Sequence, residues 1–422
     1  MSQIPKLNEL SFLVYGLGLS GLSVVKFFKK NNIKNFKVWD DKKTKLFKKH
    51  KAKNLKHTLN EVDFIILAPG ISLFKNKNLE KFKKKIITDI DLFYFKNNEK
   101  YKTIVVTGTN GKSTTCKLLQ HLLKKNKFKC SLGGNIGKPI LDLNISKNSY
   151  VIIEASSFQL SHSKFICPNY AFLLNLTNDH LDWHGSIKNY LNSKLKIFHL
   201  QNKNHYALAN NNFRKIFKNK KFLGKFKVPK ISKFKKIKHK INNSYLTSGI
   251  NDENMGFILA FAKLININEN RFINSMKTFK GLPHRFEIFL KKNSITFIND
   301  SKATSFEATR SALANLSNIY WILGGLPKKN DKVELSKFKK NIIKCYLIGK
   351  STNFFKKQIQ EKIDFSITKN LKNTIIKILK DIKLRKKGKK NILLSPSAAS
   401  FDQFSNFEKR GEAFKSLCNK YA

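Results

Sequence analysis

The sequence predicts an α/β protein of three domains: an N-terminal Rossmann-like domain, a central P-loop ATPase-like domain with a parallel sheet, and a C-terminal Rossmann-like domain. The first observation is length, because 422 residues are too many for one ordinary hydrophobic core. The second is a repeated alternation of short apolar strands with amphipathic helical stretches, which is typical of parallel sheets. We place the domains at 1–96, 97–281 and 282–422.

The first block begins with a strand that runs directly into a glycine-rich turn, LVYGLGLSGLSVV. Gly16, Gly18 and Gly21 have the G-x-G-x-x-G spacing of dinucleotide-binding folds, and Asp40 and Asp41 follow at the distance of a ribose-binding acid. Taken alone, this motif predicts a nicotinamide- or flavin-dependent oxidoreductase. No other feature of the sequence indicates hydride chemistry.

The second block opens with the strand, loop and helix of YKTIVVTGTNGKSTTCKLLQHLLKK. The turn from Gly108 to Gly111 can aim backbone N–H groups at phosphates, Lys112 adds a positive charge, and the hydroxyl of Ser113 opens a helix. Val106 stands where the usual G-x-x-x-x-G-K-S motif has its first glycine. We interpret the segment as a phosphate loop; the alternative is a glycine turn beside an ordinary surface lysine.

Polar residues that could serve a bound nucleotide follow the next strands. Glu154 ends YVIIE and His180 lies just past AFLLNLTND, at the strand ends where ligands gather in open α/β sheets. A divalent cation at the phosphates would prefer oxygen ligands. Taken singly, Glu154 and His180 are each also compatible with an ordinary loop position without a ligand. Lys194 lies in the apolar stripe of a helix predicted for 186–198, where a snorkelling stem is the alternative.

Composition limits the compartment and the partners. The 83 Lys and Arg exceed the 27 Asp and Glu by 56, but the lysines are spread from end to end, so we expect no nucleic-acid face. Five isolated cysteines without a C-x-x-C pair favour a reducing compartment. With no signal peptide at the N-terminus and no apolar run near 20 residues, we expect a cytoplasmic monomer without membrane insertion.

Eight motifs follow one another along the chain: GTNGKST, GGNIGKP, EASSFQL, NLTNDHLDWHG, SKLKIF, GLPHRFE, INDSKATS and LLSPSAASFDQFSNFEKRG. They occur in the order found in Mur ligases, a family that the sequence resembles over nearly its whole length. The resemblance implies ATP-driven amide-bond formation through an acyl phosphate in peptidoglycan synthesis. INDSKATS stands where members that add other amino acids usually carry an Asp-Tyr-Ala-His-type stretch. The substrates implied are therefore UDP-MurNAc-L-Ala, D-glutamate and ATP.

The resemblance also implies roles for single residues. Lys112, His180 and Lys194 would be catalytic. Two Mg²⁺ ions would be held by Ser113, Glu154, His180 and Lys194, the last in carbamylated form. The residues implied in ATP binding are Gly108, Thr109, Asn110, Gly111, Lys112, Ser113, Thr114, Asn251, Asn254, Arg285 and Asp300. Ile250 stands where the family usually has a histidine, which leaves the adenine contacts open.

The same resemblance gives the first glycine turn another ligand, the diphosphate of a UDP-sugar. The residues implied there are Leu19, Ser20, Asp40, Asp41, Gly70, Asn135 and Ser156. The residues implied for D-glutamate are Lys302, Thr304, Lys328, Ser400 and Phe407, with Lys329 as a rival to Lys328.

Two alternative functions remain. One is another Mur-type or folylpolyglutamate ligase, because these share the phosphate loop and the metal residues. The other is a P-loop nucleic-acid ATPase, which the net charge favours. Such an ATPase needs a pair of acids after an apolar strand, whereas the strands here end in Glu-Ala-Ser-Ser and Thr-Asn-Asp-His.

Overall fold

The computed structural model describes residues 6–42, 47–95, 101–247, 249–328, 331–384 and 388–422. Three sheets lie along this part of the chain, each flanked by helices, as the predicted fold class requires. The strands are β1 (Phe12–Tyr15), β2 (Phe36–Trp39), β3 (Phe64–Leu67), β4 (Ile86–Ile87), β5 (Tyr101–Thr107), β6 (Cys130–Gly134), β7 (Ser149–Glu154), β8 (Tyr170–Leu173), β9 (Tyr206–Ala209), β10 (Lys225–Lys227), β11 (Glu287–Lys292), β12 (Ile295–Asn299), β13 (Ile319–Gly324), β14 (Ile342–Ile348), β15 (Phe365–Lys369) and β16 (Lys390–Leu394).

The helices fill the connections between these strands and range from one to four turns. They are α1 (Leu19–Lys30), α2 (Leu55–Glu61), α3 (Lys77–Glu80), α4 (Asp89–Phe95), α5 (Lys112–Lys125), α6 (Ser157–His162), α7 (Leu181–His184), α8 (Ile187–His199), α9 (Arg214–Asn219), α10 (Ile231–Ile237), α11 (Ser244–Thr247), α12 (Asp252–Leu264), α13 (Glu269–Lys277), α14 (Phe306–Asn315), α15 (Thr352–Ile359), α16 (Leu371–Leu384) and α17 (Phe407–Tyr421).

The first two sheets are parallel throughout. The first has the order β2-β1-β3-β4 and the second the order β10-β9-β8-β5-β7-β6. In the second sheet the central strand β5 pairs with β7 on one side and β8 on the other, with Val106 beside Glu154 and Thr107 beside Leu173. Because parallel strands end at the same edge, the segments after β5, β7 and β8 lie side by side.

The third sheet has one antiparallel pair at its edge, whereas the alternation of strands and helices predicts parallel pairs. Its order is β11-β12-β16-β13-β14-β15, and β11 pairs antiparallel with β12 while the other pairs are parallel. The β11–β12 pair is a hairpin whose register shifts between Ile288 and Leu290. A hairpin can join antiparallel neighbours through a short turn, whereas a parallel edge strand would need a crossover.

The chain divides into two compact units. One contains Met1–Ile237 with Glu253–Met276, and the other contains Lys238–Asp252 with Lys277–Ala422. The first unit therefore holds the first two sheets and the second unit the third. Apolar side chains from both faces of each sheet form the cores, as expected for strands covered by helices on both sides. Within the described residues, none of the helices has the length and apolar character needed to cross a membrane.

Candidate active site

The phosphate loop connects β5 to α5 in the conformation that its glycines allow. Gly108 and Gly111 have φ of 156° and 83°, and a Cβ on Gly111 would lie 2.4 Å from the Oδ1 atom of Asn254. A larger residue at position 111 would therefore be strained and would collide with a buried side chain. Val106 is fully buried in the strand, so the loop itself begins at Gly108. The N-terminus of α5, which favours anions, follows at Lys112.

Two lysine amines converge on this loop. Lys112 donates hydrogen bonds to the carbonyl oxygens of Gly108 (2.9 Å) and Thr109 (2.8 Å). Lys194 reaches the same Gly108 carbonyl from α8 at 2.8 Å, and its side chain is only 1% exposed. Burial, and secondly the charge of Lys112, hold the pKa of the Lys194 amine well below its usual range. The lysine in the apolar stripe is thus inside the protein and favoured in its neutral form.

Tyr190 connects the helix of Lys194 to the loop. Its hydroxyl lies 3.1 Å from the Thr109 hydroxyl, and the Lys194 amine lies 4.5 Å from the centre of its ring. Thr109 in turn accepts a hydrogen bond from the backbone N–H of Thr177 at 3.0 Å. Helix α8, the segment after β8 and the phosphate loop therefore form one hydrogen-bonded assembly.

Glu154, at the end of β7, has an oxygen that could ligate a cation. Its Oε1 atom accepts a hydrogen bond from the Asn135 amide at 2.8 Å. Its Oε2 atom is buried and has no hydrogen-bond partner in the described part of the chain. A buried carboxylate oxygen without a donor is unfavourable unless a cation or another donor supplies the missing interaction. The donor set at this edge therefore fits a hard divalent ion such as Mg²⁺.

His180 occupies the turn that begins α7. Its backbone is left-handed, with φ of 54°, and its Nε2 atom lies 3.4 Å from Asp179. Its ring packs edge-on to Phe158, with centroids 4.7 Å apart. No three His, Cys, Asp or Glu side chains cluster as a metal site among the described residues. A cation here would accordingly need ligands of other types, such as the hydroxyl of the buried Ser113.

The two asparagines expected near adenine lie in different units. Asn254, in the first unit, packs against Gly111, and its Oδ1 accepts a hydrogen bond from the Thr115 hydroxyl at 3.3 Å. Asn251, in the second unit, donates to the carbonyl of Tyr245 at 2.9 Å.

The residues expected to bind the UDP-sugar surround the glycine turn of the first sheet and the turn after β7. Asp40 accepts a hydrogen bond from the N–H of Leu17 at 2.6 Å, so its carboxylate holds the glycine turn itself. Asp41 accepts from the indole of Trp39 at 2.8 Å. Leu19 and Ser20 form the first turn of α1, and Gly70 lies in the turn after β3.

Ser156 caps α6 through a reciprocal capping box. Its hydroxyl accepts a hydrogen bond from the N–H of Gln159 at 3.2 Å, and the Gln159 side chain accepts from the N–H of Ser156 at 3.2 Å. Asn135 lies on the neighbouring strand end, where its N–H donates to the carbonyl of Glu154 at 2.8 Å. The capping box and the metal candidate therefore lie within one short segment.

In the second unit, four of the five residues expected for D-glutamate lie on two loops and one helix, and two of them, Lys302 and Phe407, are in contact. Lys302 places its amine 3.8 Å from the centre of the Phe407 ring, and Thr304 follows two residues later in the same loop. Ser400 is buried in the loop after β16. Lys328 is exposed, in the segment after β13, and Lys329 lies outside the described residues.

Asp300 and Arg285 lie at the base of the same loops. Asp300 accepts hydrogen bonds from the Phe286 N–H at 3.0 Å and from the Ser395 hydroxyl at 2.8 Å. Burial raises the pKa of its carboxyl to about 7, against the smaller opposing effects of those two donors and the charge of Arg285.

Comparison with known proteins assigns the chain to a family. A model described as "Mur ligase middle domain" matches residues 106–275, and one described as "Mur ligase MurD-like, N-terminal domain" matches residues 11–89. A protein of Rickettsia felis named UDP-N-acetylmuramoylalanine--D-glutamate ligase is 37% identical, over 97% of this chain and 96% of the relative. The chain belongs to the Mur ligase family. A Wolbachia (Brugia malayi) protein of the same name is 34% identical, over 99% of this Mur ligase and 98% of the relative.

Solved structures of other Mur ligases share the fold of this one. MurF from Thermotoga maritima, solved in complex with ADP, matches with a TM-score of 0.60 at 16% identity, over 99% of this chain and 100% of the other. MurC from the same organism matches with a TM-score of 0.54 at 14% identity, over 98% and 100%. At such identities the likeness establishes the three-domain α/β architecture and no more.

Asp89, Gln159 and Arg410 of this Mur ligase were not predicted from the sequence, although they lie close to expected site residues. Asp89 is buried; its Oδ1 atom accepts a hydrogen bond from the N–H of Ile90 at 3.0 Å, and its Oδ2 atom has no hydrogen-bond partner in the described chain. Burial raises its pKa to about 6, against the smaller opposing effects of Ile90, Gln159 and Ser20. Arg410 is 1% exposed and donates to Ser301 and to the carbonyl of Ala398, joining two loops of the second unit. Only Gln159 had a visible sequence signal, the S-x-x-Q pattern of a capping box.

Proposed function

We propose that this chain is an ATP-dependent ligase that joins the carboxyl group of UDP-N-acetylmuramoyl-L-alanine to the amino group of D-glutamate. The observation that carries the proposal is the full-length similarity to relatives that bear the name of that activity. The geometry of the phosphate loop supports the ATP-dependent half of the reaction, because two lysines from different helices converge on it. Synthesis of a peptidoglycan precursor in the cytoplasm is the corresponding cellular role.

The chemistry proceeds in two steps. The substrate carboxylate attacks the γ-phosphorus of ATP, so that ADP leaves and an acyl phosphate forms. The D-glutamate amine then attacks the acyl carbon, and the tetrahedral intermediate loses inorganic phosphate to give the amide. Both steps bring anionic groups together, so the task of the protein is to position them and to neutralise their charge. Lys112 and the N-terminus of α5 are the groups that we assign to the β- and γ-phosphates.

Two Mg²⁺ ions complete the ATP site in this proposal. Ser113 and Glu154 would hold one, while His180 and a carbamylated Lys194 would hold the other. When bound, the ions would neutralise the phosphates and the acyl phosphate. The unpartnered Oε2 atom of Glu154 supports the first assignment. Burial lowers the pKa of the Lys194 amine, which supports the second assignment because the neutral amine is the form that captures CO₂.

We assign the remaining expected residues to the two other substrates and to the nucleotide. The glycine turn with Ser20 would take the diphosphate of the UDP-sugar, with Asp40 or Asp41 near the uridine. The loops that carry Lys302 and Ser400 would form the D-glutamate pocket. The full sets are Leu19, Ser20, Asp40, Asp41, Gly70, Asn135 and Ser156 for the UDP-sugar; Lys302, Thr304, Lys328, Ser400 and Phe407 for D-glutamate; and Asn251, Asn254, Arg285 and Asp300, with the phosphate loop, for ATP.

We also propose three functional domains with boundaries at 1–96, 97–281 and 282–422, acting as a monomer. The support for the boundaries is that each range contains the strands of one sheet.

The decisive experiment measures ADP release by the purified chain with UDP-MurNAc-L-Ala, Mg²⁺ and one amino acid at a time. We expect turnover with D-glutamate and none with L-glutamate, L-alanine or meso-diaminopimelate. Turnover with one of the other amino acids instead would reassign the chain to a different Mur-type ligase. ATP hydrolysis that DNA or RNA stimulates, and D-glutamate does not, would indicate a nucleic-acid ATPase.

A pair of lysine variants on one helix tests the phosphate loop in the same assay. Lys112→Ala should abolish D-glutamate-dependent ADP release, since it removes the positive charge that we assign to the β- and γ-phosphates. Lys117→Ala is the matched control, because Lys117 lies on α5 and its amine contacts the side chain of Gln120, at 3.4 Å, rather than the loop. Equal rates in the two variants would contradict the assignment of Lys112.

A further inference from the structure

A carboxylate at the start of α12 accepts two side-chain hydrogen bonds next to the phosphate loop. The Oε2 atom of Glu253 accepts from the Asn175 amide at 2.8 Å, and its Oε1 atom accepts from the Asn210 amide at 2.6 Å. Asn210 also donates to the carbonyl of Leu174 at 3.0 Å. Three segments of the first unit therefore meet at this one carboxylate.

Asn175 connects Glu253 to the phosphate loop through hydrogen bonds on both sides of its amide. Its Oδ1 atom accepts a hydrogen bond from the backbone N–H of Asn110 at 2.8 Å, and its backbone carbonyl accepts from the N–H of Thr109 at 3.0 Å. A side-chain amide presents an oxygen on one side and an NH₂ group on the other. Because an ionised carboxylate only accepts hydrogen bonds, Glu253 forces the NH₂ group of Asn175 towards itself and the oxygen towards Asn110.

The neighbouring residue on α12 supports the other end of the loop. Asn254 packs against Gly111, where a Cβ atom would lie 2.4 Å from its Oδ1, and it accepts a hydrogen bond from Thr115. Two consecutive residues of α12 therefore support the turn from Gly108 to Gly111. Glu253 supports its middle through Asn175, and Asn254 contacts its end directly. The N–H groups of Thr109 and Asn110 donate to Asn175, so the N–H groups that would face the phosphates are those of Gly111 and of the first turn of α5.

We propose that Glu253 is a positioning residue for ATP, which holds the phosphate loop in its binding conformation by fixing the amide orientation of Asn175. This inference rests on the proposed function only in that the loop binds ATP. Glu253 acts through Asn175 and, in this proposal, does not touch the nucleotide. A competing explanation is that Glu253 merely stabilises α12, because an acidic side chain in the first turn interacts favourably with the helix dipole.

An exchange of donor and acceptor distinguishes the two explanations. In Asn175→Asp a carboxylate faces Glu253 and the donor is lost, so we expect ATP to bind at least about tenfold more weakly, the effect of losing a hydrogen bond to a charged group. Glu253→Gln should weaken binding by about threefold to tenfold, because the Asn175 amide is no longer held in one orientation. In the double variant, the new amide at position 253 can donate to the new carboxylate at position 175. The other oxygen of that carboxylate still accepts from the N–H of Asn110.

The measurement is the equilibrium dissociation constant for Mg²⁺-ATP of the full chain, without the other substrates, together with KM for ATP and the midpoint of thermal unfolding. We expect the double variant to recover ATP affinity to within about threefold of the wild type. Glu269→Gln, in the first turn of α13, is the matched control for a dipole effect and should leave ATP affinity unchanged.

Two results would overturn the inference. One is that the single variants bind ATP as the wild type does, and the other is that the effects of the two substitutions add without recovery. A wild-type chain that binds ATP but shows no D-glutamate-dependent turnover contradicts the proposed ligase function and leaves the test of Glu253 intact. A wild-type chain that does not bind ATP overturns both.

Discussion

Lys112 and Lys194 donate hydrogen bonds to the same acceptor, the carbonyl oxygen of Gly108, at 2.9 and 2.8 Å. The two lysines come from different helices, and Lys194 is almost completely buried. Burial, and secondly the repulsion by the charge of Lys112 at the same carbonyl, lower the pKa of the Lys194 amine. The arrangement places a buried amine with a lowered pKa against the phosphate loop.

The first prediction concerns this amine. Lys194→Ala should lose most of the D-glutamate-dependent ADP release, because the proposed carbamate supplies an anionic oxygen to the metal. Short-chain carboxylates such as formate or acetate should restore part of the rate in this variant and should not stimulate the wild type. Lys188→Ala, an exposed position on the same helix, serves as the control and should be unaffected. An unchanged rate in Lys194→Ala would mean that the residue only packs.

The position of Lys194 could be predicted because local patterns determine it. The sequence predicts its helix at 186–198, and the helix runs from Ile187 to His199. Tyr190, Leu195 and Phe198 of the apolar stripe are buried around the lysine, whereas Ile187 at the start of the helix is exposed. The phosphate loop was predictable for the same reason, because strand, glycine turn and helix follow one another in the sequence. Both features depend on residues that are neighbours along the chain.

Features that depend on distant residues could not be predicted. Glu253 contacts partners that are 78 and 43 positions away, and nothing near it in the sequence marks it as part of the loop. The alternation of strands and helices predicts parallel pairing and gives no sign of the antiparallel strand β11, whose pairing with β12 contains a register shift and whose residues are only partly buried. The first glycine turn indicated a diphosphate, but its spacing carries no information on whether the ligand is NAD or a UDP-sugar.

A second prediction concerns the unpartnered oxygen of Glu154. In Glu154→Gln the acceptor for Asn135 is retained while the charge is removed. We therefore expect at least about a tenfold rise in the Mg²⁺ concentration for half-maximal activity, since a charge-assisted ligand is lost. Without Mg²⁺ the variant should be as stable as the wild type or more so, because a buried carboxylate oxygen without a donor is unfavourable.

The measurement pairs Mg²⁺ titrations of ADP release with thermal unfolding in the presence and absence of Mg²⁺. The stabilisation that Mg²⁺ gives the wild type should shrink in Glu154→Gln and persist in Glu80→Gln, a change at an exposed acidic residue. If Mg²⁺ stabilises Glu154→Gln as much as it stabilises the wild type, Glu154 is not a ligand.

A third prediction separates the structural and binding roles of the first glycines. A Cβ atom on Gly21 would lie 1.9 Å from the carbonyl oxygen of Gly16, whereas a Cβ on Gly18 meets nothing within 4 Å. Gly21→Ala should therefore lower the free energy of unfolding of the first sheet and its helices by several kcal/mol, as overpacking against backbone does. Gly18→Ala should fold normally and weaken only UDP-sugar binding, because it adds a methyl group at the mouth of the turn.

Urea unfolding and equilibrium binding of UDP-MurNAc-L-Ala provide the two readouts for this pair. Gly18→Ala with wild-type stability and reduced affinity is the expected result. A Gly21→Ala protein as stable as the wild type would show that the close approach of α1 to the glycine turn is absent in solution.

The last prediction follows from the buried carboxyl of Asp300. Because its pKa is about 7 in the folded protein and near 3.8 when exposed, the folded state binds a proton more tightly than the unfolded state between these values. This contribution to stability is fully present below about pH 4 and is lost as the pH rises through about 7, a change of a few kcal/mol. Asp300→Asn cannot ionise, so its stability relative to the wild type should increase between pH 5 and pH 8.

Urea unfolding of both proteins at these two pH values measures the difference, with Asp364→Asn, at an exposed position, as the control. A stability difference that is the same at both pH values would mean that Asp300 remains ionised throughout, held by the Ser395 and Phe286 donors and the charge of Arg285.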